Sequence, residues 1–512
     1  MSKAGHPPVV ETLYGAVQGI PGRNGGWHFA GIPFASPPVG ELRFRPPLPP
    51  RPWSELRHAG TPGPICSQTL TMLERLQGLN ESHASEDCLY LNVWTADLNA
   101  SKPVMVWFHG GGFVNGAGSF LWYDGSRLAT HYDCVVVTFN YRLGVFGFAD
   151  LSQLGCDRLA DAVNLGLRDQ LAALEWVRDN IAAFGGDPNR VCAFGESAGA
   201  MSIGALLAMP AARDLFHAAI LESGAASNVT DQAQAAAVAE ALLKQLELDP
   251  DEASKLAILP TETLLKAQAA LISEHEIGMP FLPVIDGATL IRHPLEAVRL
   301  GLCPNVALVV GYNAEELKLF AALNPPLRNI DIQDLKERTS RLAGERAREI
   351  LATYRATRPQ ASPGDLWEAI FGDYLFRVPA LRLAEAARRG GLSCWLYKFA
   401  FRSTAFGGRF GSCHAMEIPF VFDNLTLPGV DAFTGNVPGR ERLAAIMASS
   451  WTQLGRSRSP RSATLEDWPL YELDVRPTMV FDLDSRLVYD PESEERQAWG
   501  ELDPDPSLLG GT

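Results

Sequence analysis

Two short segments of the chain carry residue types at the spacing that acyl transfer requires. The first is Gly195-Glu196-Ser197-Ala198-Gly199, which follows the apolar run Arg190-Phe194 and precedes Met201, Ile203, Leu206 and Leu207 at helical spacing. A tight strand-to-helix turn strains and exposes its central side chain and admits only small neighbours. Gly195, Ala198, Gly199 and Ala200 meet that demand. In a chain with 46 glycines a G-x-S-x-G pattern also arises as a mere packing turn, so its context carries the reading. The second segment, His109-Gly110-Gly111-Gly112-Phe113, follows the apolar run Val104-Phe108. Successive glycines behind a buried strand suit a backbone that must approach something closely. Their amides, with that of Ala198, can converge on a developing oxyanion. A phosphate-cradling loop would need a Lys-Ser/Thr pair, and none follows.

A serine nucleophile needs a base and an acid that orients it. In an α/β-hydrolase arrangement the chain order is Ser, acid, His, each on a loop after a strand. Of ten histidines six precede Ser197, and His217, His275 and His293 precede any acid loop. His414, beyond the Cys394-Phe399 run, is the base candidate. The acid falls in the turn after Val306-Val310, where Glu315 and Glu316 stand side by side. Adjacent side chains point in different directions, so only one of the two reaches His414, and spacing leaves both open.

These segments require a sheet to position them. Short apolar runs alternating with helical patterns read as an α/β fold, a mostly parallel sheet covered by helices. The strand candidates are Val104-Phe108, Cys134-Phe139, Arg190-Phe194, Ala218-Leu221, Val306-Val310, Cys394-Phe399 and Thr478-Leu483. Leu167, Leu171, Leu174, Val177, Ile181 and Phe184 form one face of a helix that ends at Gly185-Gly186-Asp187-Pro188. Helices are also expected over Gln232-Leu271 and Asp334-Thr357. A small antiparallel sheet with coil is expected in the Gly- and Pro-rich first sixty residues, and a frayed tail after Pro504.

Length and composition set bounds on function. The 512 residues, 46% hydrophobic and 20% charged, fit a globular enzyme, and a net charge of -15 argues against a nucleic-acid partner. Met1-Ile20 has no apolar signal region and no run is long enough for a membrane span, so a cytoplasmic protein is expected. The eight cysteines contain no CxxC pair, which argues against zinc, and a reducing compartment argues against a permanent Cys66–Cys88 bond.

The chain also resembles the type-B carboxylesterases, the group of the bacterial p-nitrobenzyl esterases and the cholinesterases. The likeness runs through Gly31-Ile32-Pro33-Phe34-Ala35, Pro37-Pro38-Val39-Gly40 with Arg43-Phe44, and Glu86-Asp87-Cys88-Leu89-Tyr90-Leu91-Asn92. It continues in Asn140-Tyr141-Arg142-Leu143-Gly144, Phe184-Gly185-Gly186-Asp187-Pro188, and His414 with Glu417, Pro419 and Phe420. The resemblance implies a single α/β-hydrolase domain over residues 1–512 with inserted helical segments. It assigns the acid to Glu316, the oxyanion amides to Gly111, Gly112 and Ala198, and a serine behind the triad to Ser223. Glu315-Glu316-Leu317 departs from the family's Asp-Glu-Gly. Cys66 and Cys88 match the family's first disulfide loop, yet Ser67-Asp87 contains no Phe, Tyr or Trp. Cholinesterases hold a quaternary ammonium on an indole there, so choline esters are not the expected substrates.

The expected activity is a serine carboxylesterase acting on uncharged small-molecule esters, without cofactor or metal, as a monomer or small homo-oligomer. Phe113, Met201, Phe281, Leu319 and Phe320 are candidate pocket walls. The acid limb of activity is expected at roughly pH 6–7, where an ordinary histidine titrates. An amide or carbamate hydrolase with the same triad, and a non-catalytic binding module, are the alternatives.

Overall fold

Apolar runs become inner strands of a parallel sheet only if both of their faces are covered, and this chain supplies helices for both. The structure is a computed structural model and describes residues 7–71, 75, 83–274, 279–303, 305–465 and 467–500. Its central sheet is built from β1 (Ile20–Pro21), β2 (Trp27–Pro33), β3 (Tyr90–Thr95), β4 (Lys102–Phe108), β5 (Val135–Phe139) and β6 (Gly186–Glu196). It is completed by β7 (Ala218–Glu222), β8 (Ala307–Asn313), β9 (Cys394–Phe399), β10 (Pro477–Phe481) and β11 (Arg486–Tyr489). Across the sheet the order is β11-β10-β9-β8-β7-β6-β4-β5-β3-β2-β1. The strands from β10 to β5 are parallel, flanked by antiparallel β11 on one side and β3 to β1 on the other.

All the expected strands are present, with ends moved by pairing. β6 starts at Gly186 and breaks register against β4 between Gly186 and Val191. β8 runs on to Asn313 because its ladder with β9 continues to Asn313 opposite Phe399. β10 stops at Phe481, where the chain turns back into β11. The N-terminal sheet of Val9–Thr12, Gly15–Gln18 and Arg57–His58 has one antiparallel and one parallel pairing, where only antiparallel pairing was expected. The tail after Pro504 lies outside the described residues.

Alternation along β4 divides the core. Val104, Val106 and Phe108 face one apolar cluster, while Met105 and Trp107 face the other. The first cluster is covered by α1 (Leu165–Asn180), whose Leu167, Leu171, Leu174 and Val177 are buried as their spacing predicts. The helix continues through a tighter turn over Ile181–Phe184 and ends at Gly185 with φ 80°. Further elements are α2 (Ala198–Leu206), α3 (Pro294–Arg299), α4 (Pro363–Gly372) and α5 (Val378–Arg389). α6 (Arg440–Ser457) covers the second cluster, and α7 (Ser493–Trp499) closes the described chain. The expected helical regions resolve into Gln232–Gln245 and Thr261–Ser273, and into Ile332–Ala343 and Ala347–Thr357. Among the described residues no helix is long and apolar enough to cross a membrane. Cys66 and Cys88 are buried thiols in mutual contact without a covalent bond.

One buried ion pair ties the loop after β5 to α1. Arg142 Nε and Nη2 donate to Asp169 at 2.7 and 2.6 Å, and the Arg142 amide donates to the same carboxylate at 3.0 Å. The side chains are 3% and 0% exposed, so removing either partner strands a desolvated charge. Asp169→Ala is expected to lower unfolding stability by about 3–5 kcal/mol. A loss below about 1 kcal/mol in urea titration would show that the pair contributes no more than a surface bridge.

Candidate active site

The Gly110–Gly112 loop, Ser197, Ser223, Glu316 and His414 lie at one edge of the sheet, where the parallel strands end. Phe108 of β4 leads into the glycine loop, Glu196 of β6 into Ser197, Glu222 of β7 into Ser223, and Asn313 of β8 into Glu316. Ligand sites of open α/β sheets lie outside these carboxyl ends. Backbone strain collects here as well: Phe113, Ser197, Ser223 and Ala415 have φ of 63°, 54°, 47° and 64°. Such conformations persist only where the surroundings over-determine them.

Ser197 is held by its neighbours' backbone. Its amide donates to Glu222 O at 2.9 Å and its carbonyl accepts from Met201 N at 2.9 Å. With φ 54° and ψ −125° it stands at the head of α2, partly exposed while the residues beside it are buried. Close approach explains the small residues: a Cβ on Gly199 would lie 2.0 Å from Phe108 O, and one on Gly195 2.6 Å from the same oxygen.

The glycine loop is folded back by Val114 N and Asn115 N, which donate to Gly111 O at 3.1 and 2.9 Å. Gly111 has φ 113°, and a Cβ there would meet Asn115 O at 2.2 Å. The amides of Gly111, Gly112 and Ala198 donate to no acceptor among the described residues. His109 braces the loop, its Nδ1 lying 2.9 Å from Gly110 O and its ring stacked on Tyr141 at 4.3 Å. Burial lowers its pKa to about 4, so this imidazole is neutral.

His414 Nδ1 lies 2.8 Å from Glu316 Oε2, and Glu316 Oε1 accepts the Asn313 amide at 2.7 Å. Glu315 points elsewhere: it accepts from Ser412 N at 3.0 Å and pairs with Lys318 and Arg402. Tertiary placement thus separates two glutamates that spacing could not. The other imidazole nitrogen, Nε2, faces Glu196 Oε1 at 3.0 Å, close enough for an ion pair but not aligned as a hydrogen bond. The Ser197 hydroxyl makes no hydrogen bond among the described residues. Burial opposes charging the ring, but the carboxylates of Glu196 and Glu316 outweigh it and hold the His414 pKa well above the usual imidazole range.

More carboxylates lie behind the histidine. Glu417 accepts from Asn313 Nδ2 at 2.5 Å and from Ser223 Oγ at 3.4 Å. Burial, then Glu196 and Glu316, push its pKa up to about 8. Glu222 accepts from Trp451 Nε1 at 2.8 Å, and burial together with Glu417 raises its pKa well above the carboxylate range. Glu196 and Glu222 went unassigned in the sequence although each adjoins a selected serine; a motif fixes the presence of a side chain, not its direction.

Of the candidate walls, Phe320 stands against the imidazole, with ring centroids 5.2 Å apart. Leu319 instead packs into the second apolar cluster. Phe376, which the sequence did not single out, lies closer to His414, at 4.6 Å. A π-helical turn over Asp373–Arg377, between α4 and α5, presents it; such single turns recur at functional sites. No group of three or more potential ligands among the described residues is arranged to hold a metal ion.

Because the Glu196 carboxylate favours the charged imidazole, Glu196→Gln is expected to lower the His414 pKa in an NMR titration. An unchanged value would show that this ion pair does not form in solution.

The carboxylesterase family description matches residues 6–499. The para-nitrobenzyl esterase of Bacillus subtilis (strain 168) is 39% identical over 495 residues, covering 96% of this chain and 98% of that one. Carboxylesterase 1C of Mus musculus is 34% identical over 504 residues, covering 91% of this chain and 88% of the relative. The solved carboxylesterase EST55 of Geobacillus stearothermophilus superposes with a TM-score of 0.88 at 38% identity, covering 96% of this chain and 99% of that one. The chain belongs to the carboxylesterase family, and the reaction of that family is carboxylic-ester hydrolysis.

Proposed function

We propose that this carboxylesterase hydrolyses uncharged esters through an acyl-enzyme on Ser197. The observation that carries the reading is a strained, partly exposed serine on the same edge as an imidazole whose far nitrogen lies 2.8 Å from Glu316. In the first half-reaction Glu196 yields its place at Nε2 to Ser197 Oγ. His414 takes the serine proton as the oxygen attacks the ester carbonyl, and Glu316 stabilises the resulting imidazolium. The amides of Gly111, Gly112 and Ala198 stabilise the tetrahedral oxyanion, and the uncommitted state of all three supports that role. His414 then protonates the departing alcohol. Water, deprotonated by the same ring, attacks the acyl-enzyme and releases the acid.

Ser223 and Asn313 hold Glu417 in place behind the base, and none of these steps calls for a cofactor or metal. Phe320 and Phe376 supply apolar surface beside the reacting centre, which favours apolar ester groups over charged ones. A cytoplasmic setting belongs to the same proposal.

Ser197→Ala is expected to reduce turnover of p-nitrophenyl esters by roughly 10⁴- to 10⁶-fold with the fold intact. Equal turnover by both proteins would refute the mechanism. The acid limb of kcat/KM is expected above the roughly pH 6.5 of an ordinary histidine, because activity needs the neutral ring and is lost as pH falls below its raised pKa. Phe376→Ala is expected to shift preference toward bulkier esters across a p-nitrophenyl series. An unaltered preference would exclude Phe376 from the substrate wall.

A further inference from the structure

At the opposite edge of the sheet, where β7 and β8 begin, lies a second concavity of about 250 Å³. Its wall is formed by the chain leaving α2, the segment entering β8, and α3. Leu207, Met209, Phe216 and Val306 make a buried apolar interior, while Ile291 and Leu302 leave 42% and 46% of their surface exposed. α2 starts beside Ser197 and ends at this wall with Leu206, so its length of about 14 Å separates the cavity from the nucleophile.

The polar lining is cationic in excess. Arg292, Arg213 and Asp214 line the cavity, and neither guanidinium hydrogen-bonds or pairs with any described residue. Arg292 Nε is removed from solvent with no acceptor. Arg377, Arg388 and Arg440 also have an unbonded Nε, but their outer nitrogens bond elsewhere. A desolvated donor without an acceptor is costly, the more so when charged. Arg213 is exposed and Arg292 half-buried, so the two guanidinium groups stand between the apolar interior and solvent.

We propose that this cavity binds a small amphiphilic carboxylate. The apolar chain lies among Leu207, Met209, Phe216 and Val306, and the carboxylate meets the guanidinium groups of Arg292 and Arg213. The volume falls below the roughly 300–1,000 Å³ of drug-sized sites, which limits the ligand to a short chain. Asp214 at the same cavity disfavours a dianion, so a monocarboxylate fits better than a phosphate ester. The site is separate from the ester-hydrolysing one and does not depend on the proposed mechanism.

Calorimetric titration of the intact enzyme with sodium octanoate tests this. Saturable binding is expected, weaker for butyrate, which has less apolar surface, and for octanol, which lacks the charge. Arg213→Met/Arg292→Met should weaken octanoate by about tenfold or more while ester turnover and melting temperature stay unchanged. If octanoate also enters the catalytic site, two classes of binding appear and only one is lost in the double variant. Absence of saturable binding overturns the proposal. So does octanoate binding that the double variant leaves intact in full, because it would place the ligand elsewhere.

Discussion

The carbonyl oxygen of Phe108 sets the geometry on which the site depends. A Cβ on either Gly195 or Gly199 would collide with it, so β4 and the turn after β6 meet backbone to backbone. That approach puts the glycine loop after β4 against the head of α2. A Cβ on Gly110 would itself lie 3.0 Å from the Ser197 Cβ. Free amides of one element and the serine of the other therefore share one small space. The left-handed conformation of Ser197 is the cost of reversing the chain within that space, and parallel register fixes it from both sides.

Charge is distributed with equal constraint. Glu196, Glu222, Glu316 and Glu417 are buried at one edge, with His414 set between two of them. Burial and repulsion from neighbouring carboxylates raise the pKa values of Glu222 and Glu417, and the carboxylates of Glu196 and Glu316 raise that of His414 against its burial. Asn313 organises the arrangement by donating its amide to Glu316 and its side chain to Glu417. The sheet thus connects the acid behind the histidine with the acid beside it.

The aromatic wall has a separate support. Arg377, next to Phe376 in the π-helical turn, is buried and donates to Asp373 at 2.6 Å and to the carbonyls of Pro491 and Glu492 at 3.1 and 2.9 Å. Glu495 of α7 faces the same guanidinium and pairs with Arg358 at 2.8 Å. One end of the turn is thereby tied to the C-terminal helix, while its adjacent residue packs on the imidazole.

The strands from β4 to β10, α1, and the positions of Ser197, the glycine loop and His414 were legible in the sequence. Buried parallel strands are continuous apolar runs, and a strained turn admits few residue types. The choice between Glu315 and Glu316 was not contained in their spacing; family resemblance favoured Glu316, and the pairing of β8 with β9 brings it to His414. Glu196 at Nε2 and Phe376 against the ring were invisible for a related reason. The first depends on where a side chain points at the end of a strand, and the second on a helical turn one residue wider than its neighbours. The sequence alone determined which reactive residue types stand at the ends of the strands, because that depends on local residue identity. Only the tertiary structure decided which carboxylates surround His414, because they come from strands and loops far apart in the chain.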